Sequence, residues 1–241
     1  MSWSYSKLID FEQCKFRYKL KHVDRVPEEK SPAADRGTAL HTAAENFVLG
    51  TTPSLAPELM KFSEDFIALR AQCKKGLVSN EGEWGFDKDW QPTAYKTAWL
   101  RMKADSVKFD KKVNPTEAIV IDYKSGKKFG NEVKHGEQTQ LYSLATVIRN
   151  PTVKVVTAEL WYLDKDELTT VTYTRERALA LLKPFDKRAA RIDRAHISGI
   201  FEPNPNTFTC QWCPYGPNKG KQCPHGMTPS MTIADYRRKF A

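Results

Sequence analysis

The sequence predicts an α/β domain in which helices flank a central sheet. Ala118–Ile121 is a continuous apolar run that leads into Asp122, Tyr123 and Lys124 and then stops at a Ser-Gly turn signal. Such a run is typical of a strand buried on both faces. Other segments carry apolar residues three and four positions apart, which is the spacing of a helix that packs on one side. A chain of 241 residues is long enough for one domain of this kind.

Three helices are predicted before the first strand, over residues 4–20, 34–48 and 59–73. Ser4 or Ser6 is a suitable N-cap for the first. Its apolar side chains share one face: Leu8, Phe11, Cys14 and Tyr18. As part of that stripe, Cys14 has one interpretation as a small buried side chain. Cys73 ends the stripe of the third helix, and we exclude it from metal binding.

Strands and helices then alternate. Alternating and apolar patterns predict a pair of strands, a buried central strand, a helix, an antiparallel hairpin and a long helix that kinks at Pro184. Their ranges are, in order, 78–86, 100–109, 118–124, 137–149, 153–163 with 169–174, and 175–196. From Phe201 the chain becomes rich in proline and cysteine, which marks a tail of different character.

Charge and composition narrow the class of protein. Lys and Arg number 38 against 29 Asp and Glu, a net charge of +9, which suits a polyanionic partner such as nucleic acid. No stretch approaches the ~18 apolar residues of a membrane span. The N-terminal residues lack the pattern of a secretory signal. We therefore expect a cytoplasmic protein without a membrane partner, whose five cysteines are metal ligands or free thiols.

Two aspartates and a lysine form the first candidate site. Strand alternation places Asp122 and Lys124 on the same face, and Asp105 lies in the middle of the preceding strand, where an acidic residue is unfavourable unless it is used. Carboxylates from adjacent strands suit Mg²⁺ or Mn²⁺. His41, with Glu45 one helical turn later, is placed to complete such a site. The alternative is a structural Asp–Lys pair that closes the strand.

Three cysteines form the second candidate site. Cys210 and Cys213, with Cys223 further on, offer three soft ligands in a tail with little apolar core of its own. The fourth ligand is open on spacing alone. His225 would complete a Cys₃His zinc site and leave Cys14 in the core.

These residues, taken together, resemble the motifs of the PD-(D/E)XK nuclease superfamily. Within it they are most similar to the RecB-like exonuclease group, which includes CRISPR-associated and AddB-type iron–sulfur nucleases and many phage exonucleases. The similar segments occur in the family's order: the N-terminal helix with Ser4, Ser6 and Cys14, the histidine motif Gly37, Leu40, His41 and Glu45, the acidic strand Lys103-Ala104-Asp105, the strand Ile121-Asp122-Tyr123-Lys124-Ser125-Gly126, and Gln138 with Tyr142. Met102-Lys103 departs from the glycine that the family often has before its first acidic strand.

The resemblance implies a restriction-endonuclease-like fold, with a mixed central sheet flanked by helices and a Cys-rich C-terminal tail. Residues 1–200 would form the nuclease domain, and residues 201–241 would pack on it with the N-terminal helix. The implied metal ligands are His41, Asp105 and Asp122, with Lys124 as the catalytic lysine. Gln138, Tyr142 and Glu45 would contact DNA or support the site.

The resemblance also implies a 4Fe–4S cluster held by Cys14, Cys210, Cys213 and Cys223. We favour this cluster over zinc, although the interval between Cys213 and Cys223 exceeds the family's usual one and keeps the zinc alternative with His225 open.

The implied function is a Mg²⁺- or Mn²⁺-dependent deoxyribonuclease, an exonuclease that acts on DNA ends in recombination, replication or repair. The family also suggests a phage gene acting in the host cytoplasm, beside a helicase or a single-strand annealing protein. The alternatives are a non-cleaving nucleic-acid-binding protein on the same fold and a structure-specific endonuclease. Polarity, strand preference and oligomeric state are not predicted.

Overall fold

The computed structural model describes residues 1–28, 32–126 and 128–240, which form two compact units. One consists of Met1, Trp3–Lys30 and Arg188–Ala241, and the other of Ser2 and Ser31–Lys187. The boundary expected at residue 200 stays a prediction, because compactness does not establish that a segment folds independently. Among the described residues, no helix combines the length and the apolar character needed to cross a bilayer.

The strands confirm the predicted α/β class with a mixed sheet. In chain order they are β1 (Val78–Phe86), β2 (Pro92–Thr93), β3 (Leu100–Phe109), β4 (Glu117–Lys124), β5 (Val155–Tyr162) and β6 (Glu167–Thr174). They form one sheet in the order β2-β1-β3-β4-β5-β6. The pair β4 and β5 is parallel, and the other neighbouring pairs are antiparallel. This sheet is the framework of the second unit.

The helices among the described residues are also numbered in chain order. They are α1 (Tyr5–Gln13), α2 (Lys15–Tyr18), α3 (Pro32–Leu49), α4 (Ser63–Lys74), α5 (Glu132–Arg149), α6 (Arg175–Ala180), α7 (Leu182–Ser198), α8 (Thr207–Cys210) and α9 (Ile233–Phe240). A π-helical turn, Lys19–Val23, follows α2, and a 3₁₀ helix, Pro57–Phe62, precedes α4. The third predicted helix therefore begins as a 3₁₀ segment rather than as a regular α-helix.

Helices cover both faces of β4. On one face, α3, the 3₁₀ helix and α4 form an apolar cluster with the alternate residues Ile121 and Tyr123 of β4, in which Phe66 is fully buried. On the other face, α5 packs against β4 and β5 and links them as a crossover between parallel strands. Asp122 and Lys124 point to this second face, as the alternation predicts.

The first predicted helix is wrong in one respect, because it is interrupted at Cys14. The backbone of Cys14 is extended, with φ −163° and ψ 113°. Ser4 caps α1 as predicted, accepting a hydrogen bond from the Lys7 amide at 3.4 Å. Phe11 and Tyr18 are each 1% exposed, whereas Cys14 is only half-buried. The interpretation of Cys14 as a core side chain is therefore wrong.

The long helix predicted over 175–196 is also divided, into α6 and α7, at Leu181 rather than kinked at Pro184. In a continuous helix the missing N–H of Pro184 would have bonded to the carbonyl of Ala180, the last residue of α6. The break moves Pro184 into the first turn of α7, where an N–H has no partner within the helix.

Candidate active site

Three carboxylates lie on one row of the adjacent strands β1, β3 and β4. The antiparallel register of β1 and β3 places Glu81 opposite Asp105, between two regular pairs of the ladder. The register of β3 and β4 ends with Ser106 opposite Ile121. Continued by one residue, it places Asp122 opposite Asp105. Regular ladder pairing is thus interrupted on both sides of Asp105.

The backbone near Glu81 and Asp105 departs from regular strand geometry where the ladder pairs are missing. Glu81 has φ +43°, a left-handed conformation that is uncommon for a non-glycine residue. Asp105 Oδ2 accepts a hydrogen bond from the Tyr123 amide at 2.6 Å. Carboxylates that face each other across a strand pair repel. Burial, and then the charge of Asp105, raise the pKa of Glu81. The arrangement therefore favours a proton or a cation between the two groups.

His41 reaches this row from α3. Its Nδ1 lies 2.9 Å from Asp105 Oδ1. One ligand atom from each of His41, Glu81 and Asp105 falls within 4.8 Å of the other two. Burial lowers the pKa of His41, but the hydrogen bond to Asp105 and the charges of Asp105 and Asp122 outweigh it, so that the pKa is raised. The three side chains form a compact group of potential metal ligands.

Asp122 is the most buried of the three carboxylates, with 3% of its surface exposed. Its Oδ2 lies 2.5 Å from Lys124 Nζ. The contact is an ion pair without hydrogen-bond geometry, and no described residue donates a well-oriented hydrogen bond to this buried oxygen. Burial raises the pKa of Asp122, and the Asp105 charge adds to the effect, although Lys124 opposes it. Asp122 thus retains an oxygen with capacity for a further partner.

Lys124 is held by a chain of hydrogen bonds that begins on α5. Its Nζ donates to Gln138 Oε1 at 2.7 Å, and Gln138 Nε2 donates to the Tyr142 hydroxyl at 2.8 Å. The Tyr142 hydroxyl in turn donates to the Lys103 carbonyl of β3 at 2.8 Å. Since Gln138 and Tyr142 lie one helical turn apart, α5 fixes both links. This series of hydrogen bonds positions the Lys124 ammonium group beside Asp122.

The donor set fits a hard divalent cation. Carboxylate oxygens are the ligands that Mg²⁺ prefers, and an imidazole also suits Mn²⁺. The buried carboxylate of Asp122 and the facing pair Glu81 and Asp105 supply the negative charge that such an ion neutralises. The residues present therefore match the chemistry of a divalent metal site.

Sequence reasoning missed Glu81, which lies two residues before Glu83 on β1. In the structure the Glu83 side chain is 55% exposed and lies 3.8 Å from Lys103 Nζ. Strand alternation alone puts both glutamates on one face, and only the β1–β3 register distinguishes them. Glu45 is half-buried and lies outside the group of three ligands, although its charge contributes to the raised pKa of Glu81.

The tail cysteines occupy a second site, in the first unit. Cys14, Cys210, Cys213 and Cys223 line one cavity, together with His225. Cys14 Sγ also accepts a hydrogen bond from the Asn204 amide at 3.4 Å. Among the described residues of this cavity, no three ligand atoms come within 4.8 Å of one another. The cavity thus brings the four predicted thiols together without the close grouping that a single metal ion needs.

Comparison with known proteins agrees with this geometry. The sequence model of the PD-(D/E)XK nuclease superfamily matches residues 2–217. The chain therefore belongs to the PD-(D/E)XK nuclease superfamily, as its motifs predict. Nucleases of this superfamily act on DNA and use divalent metals, so that the mixed sheet and its carboxylate row are a nuclease fold and a candidate metal site. No curated protein matches the chain.

Two solved structures resemble the chain at low sequence identity. The crystal structure of a "Putative exonuclease" from Eubacterium rectale is 15% identical, with a TM-score of 0.56, over 97% of this chain and 92% of that one. The crystal structure of SSO0001 is also 15% identical, with a TM-score of 0.49, over 94% and 88% of the two chains. At this identity the first likeness supports the fold alone.

Proposed function

We propose that this protein is a Mg²⁺- or Mn²⁺-dependent deoxyribonuclease that hydrolyses phosphodiester bonds at DNA ends. The observation that carries the proposal is the row Glu81, Asp105 and Asp122, with His41 at one side and Lys124 at the other. A protein that only binds DNA needs basic surface and has no use for Glu81 and Asp105 gathered with His41, beside the buried Asp122. The basic net charge of +9 favours approach of the polyanionic substrate.

Each residue has a distinct part in this proposal. His41, Glu81, Asp105 and Asp122 would hold the divalent ion, which when bound supplies a Lewis acid that neutralises charge on the scissile phosphate. Lys124 places a second cation at the same face, where it stabilises negative charge as it develops on the phosphate oxygens. Gln138 keeps the ammonium group directed to that position.

The test compares digestion of end-labelled linear DNA and closed circular DNA, with Mg²⁺ or Mn²⁺, by the wild type and by Lys124→Ala. We expect the wild type to degrade linear DNA only and the variant to be inactive while still binding DNA in a gel-shift assay. Lys154→Ala is the matched control, because this exposed lysine lies outside the carboxylate row.

Other outcomes identify the alternatives. Cutting of the circular substrate would indicate an endonuclease. Binding without cutting by the wild type would indicate a non-cleaving DNA-binding protein. Equal cutting by wild type and Lys124→Ala would show that the catalytic site lies elsewhere.

We also propose that Cys14, Cys210, Cys213 and Cys223 hold a 4Fe–4S cluster. The support is that four thiols line one cavity while no three of them converge closely. Each cysteine of a four-iron cluster binds a different iron. A zinc ion, by contrast, would gather all its thiolates at about 2.3 Å from one centre. We favour the cluster over zinc with His225, because Cys14 lines the cavity with the other three thiols.

Iron, sulfide and zinc contents of the anaerobically purified protein test this second proposal. We expect iron and sulfide in the wild type, with visible absorption, and their loss in Cys210→Ser. Cys73→Ser is the control, since this fifth cysteine packs against the apolar cluster of the second unit. A colourless wild type that contains stoichiometric zinc would refute the cluster.

A further inference from the structure

Arg17 lines the same cavity as the four cysteines. It lies on α2, one helical turn after Cys14. Its terminal nitrogens are already engaged, one 3.3 Å from Asp10 Oδ1 and the other donating to Gln13 Oε1 at 3.0 Å. The third nitrogen of the group, Nε, is buried, and no described residue accepts a hydrogen bond from it.

This arrangement is uncommon, because a buried donor without an acceptor is unfavourable and a guanidinium group usually finds partners for all its N–H groups. The two engaged nitrogens hold the guanidinium plane in place. Asp10 is itself fixed by His22 Nε2 at 2.9 Å and Lys21 Nζ at 3.4 Å. The unpartnered donor thus belongs to a side chain with a restrained orientation.

The proposed occupant of the cavity supplies what this donor lacks. Four cysteine thiolates around a cluster bring net negative charge into a partly buried space, which requires a compensating cation. Sulfur atoms of iron–sulfur clusters accept hydrogen bonds, and such bonds tune the reduction potential. Arg17 combines a positive charge with a buried, unpartnered N–H on a side chain that lines the cavity.

We infer that Arg17 is a positioning residue for the cluster, whose Nε–H donates a hydrogen bond to one of the sulfur atoms and whose charge stabilises the reduced state. The inference rests on the proposed cluster. The role of Arg17 does not follow from the cysteine motif, because that motif contains no arginine. The opposing view is that Arg17 only braces α1 and α2 through Asp10 and Gln13.

Redox titration followed by electron paramagnetic resonance tests the inference, with dithionite as the donor of the single electron. We expect Arg17→Gln to retain iron but to have a more negative midpoint potential than the wild type, because the reduced cluster loses its compensating charge. Arg17→Lys keeps the charge and loses the Nε donor, so its potential should fall between the two. Arg188→Gln is the control: it removes an arginine that pairs with Glu12 at 2.6 Å and does not line the cavity.

The results separate the two proposals. Iron and sulfide present in all variants, with unchanged potentials, would overturn the role of Arg17 and leave the cluster intact. Should Arg17→Gln not fold, a potential of Arg17→Lys equal to that of the wild type would overturn the hydrogen bond from Nε, which this variant lacks. A wild type without iron would overturn the cluster itself, and the inference with it.

Discussion

Glu81 and Asp105 face each other across β1 and β3 without forming a regular ladder pair, although the residues on either side of them do. The left-handed backbone of Glu81, at φ +43°, accompanies the missing pair. Sheets tend to place opposite charges or apolar groups at such positions. The facing carboxylates are therefore unfavourable to each other unless a proton or a cation lies between them.

The exchange Glu81→Gln should have opposite effects on stability and on activity. Without divalent ions the variant should be more stable by about 0.2–1 kcal/mol, since a like-charge pair is removed. Its requirement for Mg²⁺ should rise by about 10- to 100-fold, as for other losses at metal sites. Thermal unfolding with and without Mg²⁺, and cleavage against Mg²⁺ concentration, measure both. Glu83→Gln is the matched control and should change neither; equal behaviour of the two variants would contradict the role of Glu81.

Gln138→Ala should impair cleavage without altering the metal requirement. The variant releases Lys124 Nζ from its acceptor at 2.7 Å and leaves the carboxylate row unchanged. Since misplacement of a reacting group is costly, we expect cleavage to fall on the order of 10- to 100-fold. Single-turnover rates at saturating Mg²⁺ test this prediction. A shift in the Mg²⁺ dependence instead of the rate would show that Gln138 acts on the metal site.

His135 should make the protein sensitive to mild acid. Burial and then the Lys124 charge lower the pKa of His135 to about 4, while its Nδ1 lies 3.0 Å from the Tyr162 hydroxyl. In the unfolded chain the histidine has a pKa of about 6.5, and in the folded chain its pKa is about 4. Between these two pH values the unfolded chain therefore binds a proton that the folded chain does not. The stability contributed by the neutral form is thus complete above pH 6.5 and declines as the pH falls to about 4.

His135→Gln should flatten this part of the curve of unfolding free energy against pH. Chemical denaturation at closely spaced pH values between 4 and 7 provides the measurement. Superimposable curves for wild type and variant would exclude His135 as the source of acid sensitivity.

Asp164→Ala should loosen the turn that follows β4. Asp164 Oδ2 accepts hydrogen bonds from the Gly126 amide at 2.7 Å and from Arg36 Nη1 at 2.9 Å. Gly126, with φ +99°, adopts a conformation suited to glycine at this turn. We expect a lower melting temperature and slower cleavage. Lys165→Ala, next to Asp164 between β5 and β6 and exposed, should leave both unchanged. An equal loss in the two variants would show that the effect does not depend on the hydrogen bonds of Asp164.

Local patterns were sufficient to predict much of the second unit. β1 and β3 have the predicted bounds. The shared face of Asp122 and Lys124 follows from strand geometry alone. Glu81 could not be selected in this way, because its importance depends on which residue of β3 lies opposite, and register is a tertiary property.

The interruption at Cys14 illustrates the same limit in a helix. Apolar spacing continues from Leu8 through Tyr18 as if one helix were present. The extended backbone of Cys14 instead accompanies contacts with a segment almost 200 residues away, such as the hydrogen bond from Asn204. Periodicity reports local packing and carries no information about such partners.

The first unit joins two segments that lie far apart in the chain, Trp3–Lys30 and Arg188–Ala241. Tyr215, for example, donates a hydrogen bond to the Val26 carbonyl at 3.0 Å across 189 positions of sequence. During synthesis the first segment leaves the ribosome long before the second exists. Its apolar side chains therefore lack their partners while the sheet of the other unit is made, and the cysteine cavity forms only after the second segment has been synthesised. Depletion of chaperones should affect this unit before the other.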